Sequence, residues 1–368
     1  MSTNDKKIIL VIGATGAQGK AVVDALLAPT ADGSPSPYAV SALTRDPNSK
    51  HALQLAEQGV ECIRGSFEDM DSVAGAMEGA YGAWVNTDGF TVGEVVEMYS
   101  GIRIFETAKG IKSLRHYVWS SLPYVSKLTG YNPEYKVDHM DAKARVAEFL
   151  RSQPSQVSDS ALSWSIVSTG PYMELLMGGL FDPLNVRKDG TVVFAAPIED
   201  GQPPMIALKD LGWWARYTFD HREETSSKEL HVTSERVGWD YLVETFTKVT
   251  GKPAVYKRQT MDEWWTNFDE GINNPVAHDK KAGDGSRTIR ENFSGFWRIL
   301  RDDVIVGQKD MEWIRKVHPE TYTLERWMRE NNYTGRMGKA GLEVEISISP
   351  TGLGRPRNQP AYCKRPTS

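Results

Sequence analysis

The apolar run Ile8-Ile9-Leu10-Val11-Ile12 passes directly into Gly13-Ala14-Thr15-Gly16-Ala17-Gln18-Gly19, and this junction constrains the chain more than any other feature. The run has the length of a strand buried on both faces. Beyond the last glycine, Ala21, Val22, Ala25 and Leu26 recur at helical spacing, so the glycines occupy a strand-to-helix turn. Such a turn lets the backbone approach a pyrophosphate, because amides at a helix N-terminus lack intrahelical partners and the helix dipole favours negative charge there. Gly13, Thr15, Gly16, Ala17, Gln18 and Gly19 are therefore candidate cofactor contacts. A tight turn without ligand is the bland alternative; the strand before, the helix after and the place near the N-terminus favour a dinucleotide.

The alternation continues down the chain. Residues 38–43, 60–64, 82–86 and 116–120 read as strands, and residues 48–58, 70–78 and 93–109 as helices between them. Short apolar strands alternating with helices imply an α/β fold: a Rossmann-type parallel sheet with helices on both faces. Ligands of such sheets lie beyond the carboxyl ends of the strands, which selects Gly13, Thr44-Arg45, Ser66-Phe67, Asn86-Thr87 and Ser120-Ser121. Further strands are expected at 162–168, ending in Gly170-Pro171-Tyr172-Met173-Glu174, and at 191–195. Later loops are longer and rich in Trp and Tyr, and Thr260-Met261-Asp262-Glu263 is a capping box. The expected organisation is a dinucleotide-binding domain over 6–170, with late strands contributed from 190–235, and a smaller C-terminal lobe over 171–333. From residue 334 the composition is that of a flexible tail, although 342–348 alternates like an edge strand.

Composition removes several classes of function. A net charge of −5 over 368 residues gives no global attraction to phosphate backbones, and no local basic patch points to direct nucleic-acid binding. No apolar stretch reaches the ~20 residues of a membrane span, and the polar start runs straight into the first strand. The two cysteines, Cys62 and Cys363, make no disulfide framework, and the scattered histidines make no metal site. These readings place the protein in a reducing compartment, with cytoplasm as the expectation.

In a Rossmann unit the end of the second strand meets the adenosine ribose, where an acid favours NAD(H) and a nearby arginine favours the 2′-phosphate of NADP(H). Here Thr44 holds the acid position and Arg45 follows it. Asp46 is the remaining acid, but before Pro47 it is expected to cap the next helix. The reading is NADP(H). Phe67 follows the next strand, either flanking the adenine or as plain loop.

The chemistry centres on residues 141–150, a helix by propensity. His139, Lys143, Val146 and Leu150 fall on one face of it, so Lys143 shares an apolar stripe, while Arg145, Glu148 and Arg151 lie elsewhere. An inward lysine needs a partner, and the ribose hydroxyls of a nicotinamide cofactor supply one; the alternative is a lysine whose stem packs while its head reaches water.

Together the opening glycine loop, Thr44-Arg45-Asp46-Pro47, Tyr117-Val118-Trp119-Ser120-Ser121, His139-Met140-Asp141-Ala142-Lys143 and Gly170-Pro171-Tyr172-Met173-Glu174 resemble the NmrA-like proteins. These form a branch of the atypical short-chain dehydrogenase/reductases, similar also to isoflavone-reductase-like enzymes. The resemblance spans about residues 6 to 330, including a closing segment around His318-Pro319-Glu320 and 324–331. It implies NADP(H) bound through the glycine loop and Arg45, with Asn86, Thr87, Lys143, Pro171 and Tyr172 around the rest of the cofactor. One departure is plain: His139 stands where the active pattern Tyr-x-x-x-Lys has its tyrosine. Histidine can shuttle a proton near neutral pH, or serve structure alone. Ser120 or Ser121 stands where such enzymes place a hydroxyl that bonds the substrate carbonyl.

Two functions follow. The first is an NADPH-dependent oxidoreductase acting on a small carbonyl, enone or quinone, assisted by Lys143, His139 and Ser120 or Ser121, in a pocket walled from Trp84, Tyr172, Trp264, Trp265, Phe293, Phe296 and Trp297. The second is a non-catalytic NADP(H) sensor that acts through a regulatory protein partner, in which case a nuclear location is also expected.

Overall fold

Ile9 and Val11 sit in one buried cluster and Leu10 and Ile12 in another, the period-two division that a strand covered on both faces requires. The protein, seen here as a computed structural model, is described over residues 6–268 and 270–335. The strand is β1 (Lys7–Ile12), followed by β2 (Tyr38–Thr44), β3 (Glu61–Arg64), β4 (Gly82–Val85), β5 (His116–Ser121) and β6 (Ser163–Ser168). Two short strands, β7 (Asn185–Val186) and β9 (Pro204–Met205), flank β8 (Val192–Ala196), and β10 (Glu229–His231), β11 (Glu235–Arg236) and β12 (Ala254–Arg258) complete the set. The main sheet has seven parallel strands in the order β10-β6-β5-β4-β1-β2-β3. Its strand order reverses between β1 and β4, and an open sheet binds ligands in the crevice at such a switch point.

Helices α1 (Ala17–Leu27), α2 (Lys50–Glu57), α3 (Met70–Met77), α4 (Gly89–Val92), α5 (Glu94–Gly110), α6 (Val125–Leu128), α7 (Asp138–Arg151) and α8 (Leu208–Asp220) follow in chain order. Val22, Val23 and Leu26 of α1 and Leu211, Trp214 and Ala215 of α8 cover one face of the sheet. Val73 of α3, Ile104 and Phe105 of α5, and Val146 and Leu150 of α7 cover the other. Gly101 lets α5 press against α7, because a Cβ there would stand 2.7 Å from Val146.

The strand expected at 191–195 forms as β8 but belongs to a separate three-stranded sheet, β12-β8-β7. The main sheet instead takes the short β10, paired to β6 through Leu230 opposite Val167. A second core gathers Phe181, Phe194, Trp239, Phe246, Trp264, Trp265, Trp297 and Trp327 around the small sheet. The Thr260–Glu263 capping box is present as expected. The chain then returns to the first domain: Trp313 stacks on Trp214 at 5.2 Å and His318 on Trp213 at 4.0 Å. His318 also bonds the buried Asp210 at 2.8 Å. The expected edge strand at 342–348 and Cys363 lie outside the described residues. Among the described residues no helix is long and apolar enough to cross a membrane.

Candidate functional site

A single cleft of about 490 Å³ opens at the switch point and joins the glycine turn to an aromatic chamber. The turn's glycines have different reasons to be glycine. Gly13 has φ +85°, and a Cβ there would come within 2.6 Å of Asn86 O, so it seats the end of β1 against the end of β4. A Cβ on Gly19 would collide with the backbone of Gly13 and Ala14, so Gly19 packs α1 onto the turn and does not line the cleft. Gly16 is another case: its Cβ would meet only Gly13 O, at an ordinary 3.5 Å, yet it lines the cleft beside Thr15, Ala17 and Gln18. Gly16 is also the N-cap of α1 and offers no side-chain cap, whereas Ser49, Asp69 and Asp88 cap α2, α3 and α4. The fold itself does not need Gly16 bare, and α1 starts without a capping acceptor. Both conditions suit an anion held against the turn.

At the far end of the glycine turn the cleft is lined by Thr44, Arg45, Asp46, Ser49, His51 and Phe67. Arg45 is exposed and its guanidinium has no partner among the described residues. Asp46 is not the cap of α2. Ser49 holds that place, accepting from the Ala52 amide at 3.3 Å, while Asp46 accepts from the Asn48 amide at 3.1 Å and lies 3.7 Å from Arg64. Both residues are good amide acceptors, and two nested turns, rather than one, lead into the helix.

Asn86, Thr87 and Lys143 mark the middle of the cleft. Lys143 is buried, as its apolar stripe on α7 requires, and its ammonium donates to Asn86 Oδ1 at 2.9 Å and Thr87 O at 2.8 Å. It also lies 3.0 Å from Glu97 Oε1, which accepts from the Thr87 hydroxyl at 2.8 Å. Glu97 has no exposed surface, and its other oxygen packs where a Cβ on Gly89 would stand. Sequence reasoning missed Glu97. Its signal was there: Glu97, Gly101, Ile104, Phe105 and Ala108 form the buried stripe of α5, the same argument that turned Lys143 inward.

The two serines stand apart from the chemistry expected of them. Ser120 and Ser121 are buried and neither lines the cleft. Ser120 donates to Gln18 Oε1 at 2.7 Å, and Gln18 in turn donates to the Tyr172 hydroxyl at 2.9 Å. Ser121 donates to the carbonyl of Leu122 at 3.3 Å and that of Lys143 at 3.4 Å. Pro171 and Tyr172 do line the cleft, and burial pushes the Tyr172 phenol up to about 12, so it stays protonated.

His139 is wedged among Phe90, Phe293 and Phe296, with ring centroids 4.6, 6.0 and 6.3 Å away. Burial, reinforced by the Lys143 charge, pushes its imidazole down to about 3, so the ring is neutral at physiological pH. Its Nδ1 lies 3.2 Å from Asn292 Nδ2. Leu122, Met140, Leu175 and Leu180 complete the apolar end of the cleft. Of the aromatic wall expected from sequence, Tyr172, Phe293 and Phe296 line the cleft; Trp84, Trp264, Trp265 and Trp297 are core. Phe90 and Asn292 were not expected, and Asn292 lies 153 residues from the histidine it touches.

The NmrA-like family model matches residues 5–290. The chain belongs to the NmrA-like family. Among curated relatives, the NmrA-like family domain-containing oxidoreductase FrzB of a Cladobotryum species is 28% identical over 71% of this chain and 78% of its own. The similarly named hkm9 of Aspergillus hancockii is 28% identical over 75% of this chain and 81% of its own. Among solved structures, NmrA, a negative transcriptional regulator in complex with NAD, superposes with a TM-score of 0.68 at 21% identity, covering 89% of this chain and 95% of NmrA. The NADPH-dependent quinone oxidoreductase QOR2 of Escherichia coli, complexed with NADPH, superposes with a TM-score of 0.58 at 18% identity, covering 88% of this chain and 99% of QOR2. These structural likenesses establish the fold of this NmrA-like protein; its chemistry must be read from its own cleft.

Proposed function

We propose that this NmrA-like protein is an NADP(H)-dependent oxidoreductase that reduces a small carbonyl, enone or quinone compound. The observation that carries this reading is the continuity of the cleft, from an uncapped, glycine-lined helix start through Lys143 to an aromatic chamber. The residues present suit the cofactor. Gly16 leaves room that the fold does not use, and the amides at the start of α1 would receive the pyrophosphate. Arg45 would meet a 2′-phosphate, while the Asp46 carboxylate is already engaged by the Asn48 amide and faces Arg64. The oxidoreductase names of FrzB and hkm9 support the reaction class, and the binding of NAD or NADP by NmrA and of NADPH by QOR2 supports a nicotinamide dinucleotide.

The bound nicotinamide supplies the hydride. This chain's residues bind, orient and exclude water: Phe90, Leu122, Phe293 and Phe296 offer a flat apolar compound a dry site. Lys143 orients the middle of the cleft. All three of its N–H groups have protein partners, so it must exchange one to hold a ribose hydroxyl, and the neutral Asn86 or Thr87 is cheaper to release than the Glu97 carboxylate. A second reading, an NADP(H)-responsive regulator acting through a protein partner, draws on one observation: Lys143 is saturated by Glu97, Asn86 and Thr87 while Ser120 and Ser121 are shut away from the cleft. A screen of aldehydes, enones and quinones against NADPH, followed at its absorbance band, separates the two. Consumption above background supports the oxidoreductase; tight NADP(H) binding with no consumption across the panel defeats it and leaves the regulator.

A further inference from the structure

We infer that His139 serves as a neutral hydrogen-bond donor, through Nε2–H, to the carbonyl oxygen of an uncharged, flat substrate, with Asn292 fixing its tautomer. The inference rests on the oxidoreductase reading and assigns the group that takes over the oxygen contact of the missing tyrosine.

A backbone amide decides the tautomer. The Asp138 N–H can only donate, and it lies 2.8 Å from Asn292 Oδ1, which fixes the orientation of that side-chain amide. The opposite end, Nδ2, is then a donor, and the ring atom 3.2 Å from it, His139 Nδ1, must accept. An unprotonated Nδ1 on a neutral ring leaves the proton on Nε2. Protonating the ring would set an Nδ1–H against the Asn292 N–H, within a cage of Phe90, Phe293 and Phe296 and beside the Lys143 ammonium.

Nε2 has no partner among the described residues, and it is not sealed from solvent as the buried, unpartnered polar atoms are. The ring lines the cleft, so the atom's free side is the cleft itself. It stands one helical turn before Lys143 on α7. The three phenyl rings hold the imidazole plane without competing for its proton. A preorganised donor of this kind acts where charge develops. As hydride from the reduced nicotinamide reaches the carbonyl carbon, the C=O π pair moves onto oxygen, and the Nε2–H bond strengthens to that oxygen. The resulting alkoxide or phenolate stays held by that hydrogen bond and takes its proton from water as the product leaves the cleft, so the imidazole keeps its N–H throughout. The substrate class follows: an aryl ketone, enone or quinone with no carboxylate, because the donor and its aromatic surroundings are uncharged and the neighbouring Lys143 ammonium is already paired with Glu97.

The test combines a tautomer measurement with kinetics. In ¹⁵N-resolved NMR of the protein at neutral pH, His139 should show the Nε2–H tautomer, and Asn292→Asp, which replaces the amide donor with an acceptor, should move the proton to Nδ1. With a quinone as substrate, His139→Phe should lower kcat by about 10²-fold, the loss typical of one oxyanion donor, with NADPH affinity within threefold of the parent. His139→Gln, which keeps an N–H at the same reach, should recover at least tenfold of that loss. An Nδ1–H tautomer in the parent, or His139→Phe turning over within threefold of it, overturns the inference while leaving the oxidoreductase reading in place. A parent that consumes no NADPH with any carbonyl tested overturns that reading, and the inference falls with it.

Discussion

At the glycine end of the cleft the turn and the Arg45 guanidinium stand open to a ligand, whereas at the lysine end the ammonium is already paired. Arg45 is exposed and its guanidinium has no partner among the described residues, Gly16 leaves space, and α1 begins without a side-chain cap. Lys143, by contrast, is buried against Asn86, Thr87 and Glu97, and His139 is caged by three phenyl rings. One end waits for a ligand; the other is preorganised before any ligand arrives. Substitutions at the first should therefore cost affinity and spare the fold. At the second they should cost stability before they reveal anything about turnover.

The largest effect is expected at the buried ion pair. Lys143→Met leaves the Glu97 carboxylate, with no exposed surface, beside a methyl group, and breaking a buried pair from one side costs about 3–5 kcal/mol. Lys143→Met combined with Glu97→Gln removes the uncompensated charge and should recover at least half of that loss in urea unfolding. A single variant within ~1 kcal/mol of the parent would break the contrast, because it would make the lysine end as tolerant as the glycine end. The same control governs any kinetic use of Lys143: lost turnover in an unfolding-prone variant says nothing about proton transfer.

The two glycines of the turn divide the comparison within a single loop. Gly19→Ala forces its Cβ into the backbone of Gly13 and Ala14 and should destabilise by about 1–3 kcal/mol through overpacking. Gly16→Ala has room and should leave the unfolding midpoint nearly unchanged, yet lower NADPH affinity at least tenfold in calorimetry. Retained affinity in the Gly16 variant would remove the pyrophosphate from this turn.

Much of the first domain was legible because its signals are local. Period-two and period-3.6 patterns and the glycine turn are written in consecutive residues, and β1 to β6 stand within a residue or two of their expected places. What was illegible depends on contacts between distant segments. The seventh strand of the main sheet, β10, is three residues long, too short for a pattern, and exists because the edge of β6 accepts it. Asn292 meets His139 across 153 residues. Trp264, Trp265 and Trp297 were expected in a ligand wall, but large apolar rings stabilise most by full burial, and they build the lobe's core instead. Glu97 was within reach, as a charged residue on an apolar stripe needs a partner of opposite sign.

Acid should expose the preorganised end next. Burial pushes His116 and His139 down to about 3 and His231 to about 4, against an ordinary 6.5. The unfolded chain takes up these protons below about 6.5 while the folded chain does not, so stability is full above that pH and falls as pH drops towards the folded values. Each such histidine contributes a slope of about 1.4 kcal/mol per pH unit inside that window. His139→Gln should flatten the slope by one proton between about pH 6 and pH 4 in urea titrations, leaving the slopes of His116 and His231 in place. An unchanged slope would mean that the His139 cage admits water and that the lysine end is less closed than the packing indicates.

The smallest effect belongs to Arg45, and it is the cleanest probe of the open end. Because the guanidinium is exposed, its bond to a 2′-phosphate is screened by solvent and salt, and about 1 kcal/mol, or roughly fivefold in Kd, is the expected cost of Arg45→Ala. The loss should fall on NADPH and spare NADH, since only the former carries the phosphate, and it should shrink as ionic strength rises. Thermal stability should not move, as no protein contact is removed. Asp46 supplies the opposing case: if its carboxylate left the Asn48 amide to bind a free ribose hydroxyl, NADH would bind as tightly as NADPH, and Asp46→Ala would weaken NADH alone. Equal affinity of the unmodified protein for the two cofactors would therefore reject Arg45 as a discriminating residue, and a loss of NADH binding alone in Asp46→Ala would show the carboxylate on the ribose.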